Sequence, residues 1–144
     1  MRLIDLNCDL GEGVGQDTVL MPLITSVNIA CGAHAGDEAS MRATIALAQK
    51  QGVAIGAHPG FADRVNFGRR EIALSLNEIY SLVLTQTQLL QILAAQNGAT
   101  VRHVKPHGAL YNLAARDGAV AQAVAAAVCT ADRRLILVGL ARVT

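Results

Sequence analysis

Five short β-branched runs, separated by stretches of helical periodicity, mark this chain of 144 residues as an α/β protein built on a parallel sheet. The composition agrees. Hydrophobic residues make up 52% of the chain and charged residues 16%, so there is ample apolar surface to bury and intrinsic disorder is excluded. Two Phe, two Tyr and no Trp leave the core to Val, Ile, Leu and Ala. Twelve Lys and Arg against eleven Asp and Glu give a net charge of +1, which argues against a nucleic-acid-binding surface.

The strand candidates are residues 3–8, 26–30, 53–57, 101–105 and 135–140. Between them lie a short helix near 17–24 and longer ones near 37–51, 75–97 and 118–129. In the helix at 75–97, Ser75 and Glu78 form a capping box, each side chain satisfying a free backbone donor. Ile79, Leu82, Val83, Leu89, Leu90 and Leu93 follow on a helical stripe, and Gly98 is the C-terminal stop. Gly52 punctuates the earlier helix in the same way. The order βαβαβαβαβ calls for right-handed crossovers and a parallel sheet. No repeat, low-complexity tract or Ser/Pro-rich linker interrupts it, so residues 1–144 read as a single β/α domain. No apolar run reaches the 18 or so residues that a membrane span needs. The opening MRLIDLNCDL carries carboxylates where a signal peptide is apolar, and Cys8, Cys31 and Cys129 lack CxxC spacing. Both features fit reduced thiols and a cytoplasmic location, with each cysteine acting as a small hydrophobe.

Parallel strands covered by helices are expected to be almost wholly apolar, and these are not. In the first strand Ile4, Leu6 and Cys8 point one way and Asp5, Asn7 and Asp9 the other. The helices should cover the apolar side, leaving three polar side chains in the opposite space. The second run, SVNIACGAH, puts Asn28 and His34 on one parity if the pleat persists through Gly32. The third, VAIGAHP, ends at His58. The fourth, VRHVKPHG, gives His103, Lys105 and His107 a shared parity. Ligands of open α/β sheets and closed barrels bind at the carboxyl ends of the strands, where four successive runs here deliver Asp9, His34, His58 and Lys105 with His107.

Each residue also has a plainer role. Asp5 can cap a neighbouring strand or pair with an arginine, and Glu12 is either a general acid/base or a solvated loop carboxylate. His103 lies deeper among valines and reads as a buried structural residue. Lys105 either balances a carboxylate or holds an anionic group of a substrate. Three chemistries could use this rim. His and Asp can hold a divalent metal, although no HExxH helix is present. Metal-free acid/base work by histidine with a lysine oxyanion partner is the second. Nucleophilic attack by Cys31 is the weakest, because Cys31 shares the parity of Val27 and Ile29 and should face the helices. The GEGVG run at 11–15 follows a strand as phosphate loops do, yet matches neither GxxxxGK[ST] nor GxGxxG, so a tight turn explains it equally well. The stretch HPGFADRVNFGRR at 58–70 has the length of a functional loop, and its Arg64, Arg69 and Arg70 either meet an anion or are solvated.

Four segments, DLNCDLGEG at 5–13, SVNIACGAHAGD at 26–37, IGAHPGFADRVNFGRR at 55–70 and VRHVKPHGALYN at 101–112, together resemble the LamB/YcsF family across essentially the whole chain. The resemblance implies a barrel-like β/α fold of the glycoside hydrolase/deacetylase type. It also implies the A subunit of an ATP-dependent 5-oxoprolinase, which cleaves 5-oxo-L-proline to L-glutamate together with subunits B and C. On that footing Asp9, His34, His58, Lys105 and His107 are the expected catalytic set. Gly11, Glu12 and Gly13 are the expected contacts to the ATP cosubstrate. Asp9, His34 and His58 are the expected ligands of any divalent metal, its identity open. A closed eight-stranded barrel takes about 250 residues, so the sequence should supply an incomplete barrel: either it is a truncated product, or its open edge is covered by another chain or a second copy. Two other readings stay open: a metal-dependent deacetylase or amidohydrolase that ignores ATP, and a non-catalytic assembly fragment.

Overall fold

The computed structural model describes residues 4–141. One five-stranded sheet holds β1 (Asn7–Leu10), β2 (Ser26–Ala30), β3 (Ala54–His58), β4 (Val101–Val104) and β5 (Ile136–Leu137). The strands lie side by side in sequence order and every pairing is parallel. The connections carry α1 (Asp17–Leu20) with a 3-10 turn at Met21–Leu23, α2 (Glu38–Gln51), α3 (Leu76–Gln96), α4 (Gly108–Arg116) and α5 (Gly118–Ala131). The core lies between one face of the sheet and these helices. Val27, Ile29, Ile55, Ala57 and Val104 from the strands meet Met41, Ile45, Val83, Leu90 and Val124 from the helices.

The helix ends follow local chemistry. Ser75 and Glu78 form the expected box, with the Glu78 N–H donating to Ser75 Oγ and the Ser75 N–H to Glu78 Oε2 at 2.7 Å. Asp37 and Ser40 form a second box at the start of α2. Gly52 ends α2 in the left-handed conformation (φ 69°), a backbone shape that favours glycine. The sequence patterns do not predict α4. It begins at Gly108 directly after the Pro106–His107 turn, and Asp117 then caps α5 by accepting from the Ala119 and Val120 N–H groups.

Three expectations need correction. The strand expected at 3–8 is displaced to Asn7–Leu10, and Leu3 lies outside the described residues. The Leu6 N–H donates to Thr25 Oγ1, a side chain standing where a ladder partner would be. The apolar side of the expected strand is not covered along its length either, since Ile4 is 80% and Leu6 55% exposed, whereas Leu10 at the end of β1 is buried. The strand expected at 135–140 is only two residues long, with Val138 adding one further bond to the Val104 carbonyl. Finally, β4 carries a bulge: Ile55 pairs with Val101 but Gly56 with His103, leaving Arg102 as an extra, exposed residue. That single residue lets Val101 and Val104 both reach the core while His103 turns to the opposite, polar face.

Cys31 points into the core as its parity predicts, 3% exposed. Burial pushes its thiol pKa up to about 12, so at pH 8 it is protonated and a poor nucleophile. Iodoacetamide at pH 8 should therefore modify the exposed Cys129 and leave Cys31 untouched until the protein unfolds. Mass spectrometry showing native labelling of Cys31 would contradict this placement. Packing makes a second prediction. Leu90→Ala on the buried stripe of α3 should cost about 2–5 kcal/mol in urea unfolding. Ile92→Ala, on the exposed side of the same helix, should stay within about 0.5 kcal/mol, and equal losses would refute the assigned face.

Candidate active site

The site forms where the main chain continues beyond β3 and β4. The Lys105 N–H donates to the Ala57 carbonyl at 2.9 Å, and the His107 N–H to the Pro59 carbonyl at 2.8 Å. These bonds hold the two outgoing segments side by side, so that His58 Nε2 and His107 Nδ1 meet at 2.9 Å. His34 arrives differently from the expectation. The pleat of β2 stops at Ala30, and a turn closed by the Gly32 N–H on the Ala35 carbonyl swings His34 into the site. Its ring stacks on His107 with centroids 3.7 Å apart and planes 2° from parallel. Glu12 enters from the loop after β1, with Oε1 3.6 Å from His34 Nε2 and 3.7 Å from His107 Nδ1.

The 59–70 loop closes over this group. Phe67 sits in the left-handed region (φ 56°), which a bulky side chain rarely adopts, and its carbonyl accepts from His107 Nε2 at 2.8 Å. Gly68 packs so close that a β-carbon there would lie 2.8 Å from His34 Cβ. Gln86 of α3 anchors the loop base, its amide bonding both the N–H and the carbonyl of Gly60.

Two main-chain carbonyls dictate the imidazole tautomers. His58 Nδ1 faces the Lys105 carbonyl at 2.6 Å and must donate to it, and His107 Nε2 must donate to Phe67. In neutral rings, the remaining nitrogens then face each other as two lone pairs 2.9 Å apart. Glu12 Oε1 and both nitrogens of His34 are buried without a hydrogen-bond partner. A single proton could bridge the two facing nitrogens but would leave Glu12 and His34 orphaned. One cation could serve all four, because donor atoms of Glu12, His34, His58 and His107 lie within 4.8 Å of one another. Three imidazoles and one carboxylate suit zinc or a neighbouring transition metal better than magnesium or calcium. Burial, reinforced by the adjacent His34, lowers the His107 pKa to about 4, which leaves its ring neutral at pH 7 and suited to ligation.

Asp9 lies beside this cluster rather than in it. Its Oδ1 accepts from Lys105 Nζ at 2.9 Å and from Asn28 Nδ2 at 2.6 Å, while Oδ2 is 3.4 Å from His58 Nε2. Burial works to raise its pKa, but the donors Asn28 and Lys105 outweigh it and hold the carboxyl below the usual carboxylate range. Glu12, expected as an ATP contact, thus joins the histidines together with His107, and Asp9, expected among the metal ligands, pairs with Lys105. The phosphate-loop expectation for Gly11, Glu12 and Gly13 gains no support here. The Gly11 N–H is already given to Asp17 Oδ2 at 2.9 Å, and the Glu12 carboxylate turns inward. Asn28 and Phe67 stand outside the expected site residues. Asn28 carries a signal, a polar side chain in the middle of a buried strand; Phe67 carries none.

The LamB/YcsF family model matches residues 4–144. The chain is 52% identical over 146 aligned positions to the A subunit of 5-oxoprolinase from Tolumonas auensis, covering 98% of this chain and 58% of that protein. It is 54% identical to the corresponding 5-oxoprolinase chain of Symbiobacterium thermophilum, over 95% of this chain and 54% of that one. A lactam utilization protein from Thermus thermophilus, known from its crystal structure, superposes with a TM-score of 0.94 at 46% identity, over 96% of this chain and 58% of that one. The chain spans a little over half the length of these relatives. With a match that runs from the first described residue through every strand and every member of the site, the chain belongs to the LamB/YcsF family.

Proposed function

We propose that this chain carries the ring-opening site of an ATP-dependent 5-oxoprolinase, acting with subunits B and C in the cytoplasm to convert 5-oxo-L-proline to L-glutamate. The observation that carries the reading is the convergence of Glu12, His34, His58 and His107, with the Asp9–Lys105 pair beside them, at the carboxyl ends of the strands. The relatives named for 5-oxoprolinase and for lactam utilization support the substrate class.

A five-membered lactam is a resonance-stabilised amide, so unassisted attack by water is slow. Phosphorylation of its oxygen at the expense of ATP would leave the ring carbon a better electrophile and couple the opening to ADP and phosphate release. Glu12, His34, His58 and His107 would hold a divalent cation, which when bound polarises a carbonyl and lowers the pKa of water. With the imidazoles so engaged, Asp9, a carboxylate its partners keep ionised, is the group left to accept a hydrogen bond from the attacking water and orient it. Lys105 Nζ is the cation left to hold the oxyanion or phosphate. The Lys105 and Phe67 carbonyls keep the two histidine rings in the orientation this requires. Because the Gly11 N–H is committed to Asp17, any contact of the GEGVG loop to the nucleotide would fall to Gly13 rather than Gly11.

Glutamate release should be assayed with and without ATP and subunits B and C. Release that depends on both is expected, and Asp9→Ala and His107→Ala should each lower it at least about 100-fold with an unchanged circular dichroism spectrum. Near-native turnover by either variant would overturn the assignment, and release indifferent to ATP would favour a simple metal amidohydrolase. A separate titration tests the cation. The chelator-treated chain should bind about one Zn2+, and Glu12→Gln should weaken binding at least about tenfold. Equal affinity in that variant would remove Glu12 from the ligand set.

A further inference from the structure

A second polar group on the polar face of the sheet meets the cation cluster only through Asp9, whose Oδ2 lies 3.4 Å from His58 Nε2. Asn28 is fully buried at the centre of β2. Its Nδ2 donates to Asp9 Oδ1 at 2.6 Å and to Asn7 Oδ1, while its Oδ1 accepts from Asn7 Nδ2 at 3.2 Å. Behind it stands His103, whose Nε2 lies 2.8 Å from Asn28 Oδ1 and must donate there. This ring occupies space that only glycine leaves free: a β-carbon at Gly56 would fall 2.0 Å from His103 Nε2. The β4 bulge sets His103 opposite Gly56 in the register.

The direction of these bonds has a chemical meaning. An amide turned end over end would aim Asn28 Oδ1 at the Asp9 carboxylate, two acceptors in contact. The His103 N–H blocks that orientation by requiring an acceptor on its own side. An asparagine amide does not relay protons under ordinary conditions, so the chain His103–Asn28–Asp9 orients and does not conduct. We infer that His103 and Asn28 are positioning residues that fix the rotation of the Asp9 carboxylate, so that Oδ1 takes the short bonds from Asn28 and Lys105 while Oδ2, at 3.3 Å from Lys105 Nζ, faces His58. Burial lowers the His103 pKa and so favours the neutral ring, and the contact with Asn28 Oδ1 puts its one proton on Nε2. The inference rests on the proposed role of Asp9 for its kinetic consequence, but not for its structural one.

The test compares His103→Gln, whose amide nitrogen can stand near the position of Nε2, with His103→Asn, which is too short, and with His103→Leu. With substrate, ATP and subunits B and C, His103→Leu and His103→Asn should lose at least about tenfold in kcat with KM changed less than about threefold. His103→Gln should recover most of the loss. Independently of activity, the Asn28 side-chain amide protons should exchange slowly with solvent in the parent chain and in His103→Gln, and quickly in His103→Asn. Zn2+ binding should be the same in all of them, which reports that the cluster and fold persist. Equal amide exchange in the Gln and Asn variants would overturn the inference, whether or not the chain opens a lactam. Equal kcat in those two variants, with the parent active, would overturn its kinetic part.

Discussion

The hydrogen bonds from Lys105 and His107 to the Ala57 and Pro59 carbonyls hold two chain ends in register after the regular sheet has stopped. Everything chemical in the molecule hangs on that extension. It brings two imidazoles to 2.9 Å, and it places the Lys105 carbonyl where it can fix one of them, while the Lys105 side chain reaches back to Asp9. Lys105 therefore works at three points: its N–H joins the strands, its carbonyl sets a tautomer, and its ammonium neutralises an acid. A proline directly after it adds no competing donor at the point where the chain leaves the sheet.

The sheet separates two environments by alternation, which the β4 bulge resets at His103. One face contributes Val27, Ile29, Ile55 and Ala57 to a dry core, and the other contributes Asn28, Gly56 and His58. Burying so many polar groups is tolerable because most are paired with one another, and the exceptions on this side, Glu12 Oε1 and both His34 nitrogens, cluster where a cation fits. Small residues are as necessary as polar ones on that face. Gly56 accommodates the His103 ring, and Gly60 and Gly68 accommodate the stacked His34 and His107 rings.

Much of this is legible in the sequence, and the residues that are not share a cause. The strand at 26–30, the boxed helix start at Ser75 and the common side of His58, Lys105 and His107 follow from period-two and helical patterns, which are local. The β4 bulge, the turn that delivers His34 and the short extent of β5 depend on what a neighbouring segment offers, and no single stretch records it. Glu12 shows the difference well. As part of GEGVG it looks like a loop residue near a phosphate, and only the arrival of His34 and His107 from distant positions gives its carboxylate a purpose. The resemblance to the LamB/YcsF family supplies the fold type that patterns alone leave open between an open sheet and a barrel.

Phe67 marks a position where the needs of the chain and of the site diverge. A phenylalanine held at φ 56° carries a conformational penalty that glycine or asparagine would largely avoid. The ring nevertheless packs edge-on against both His34 and His107, and Arg69 lies over its face. Stability-guided redesign of this protein would thus be drawn to residue 67 first, and would gain robustness there by stripping the aromatic wall from the histidines it encloses.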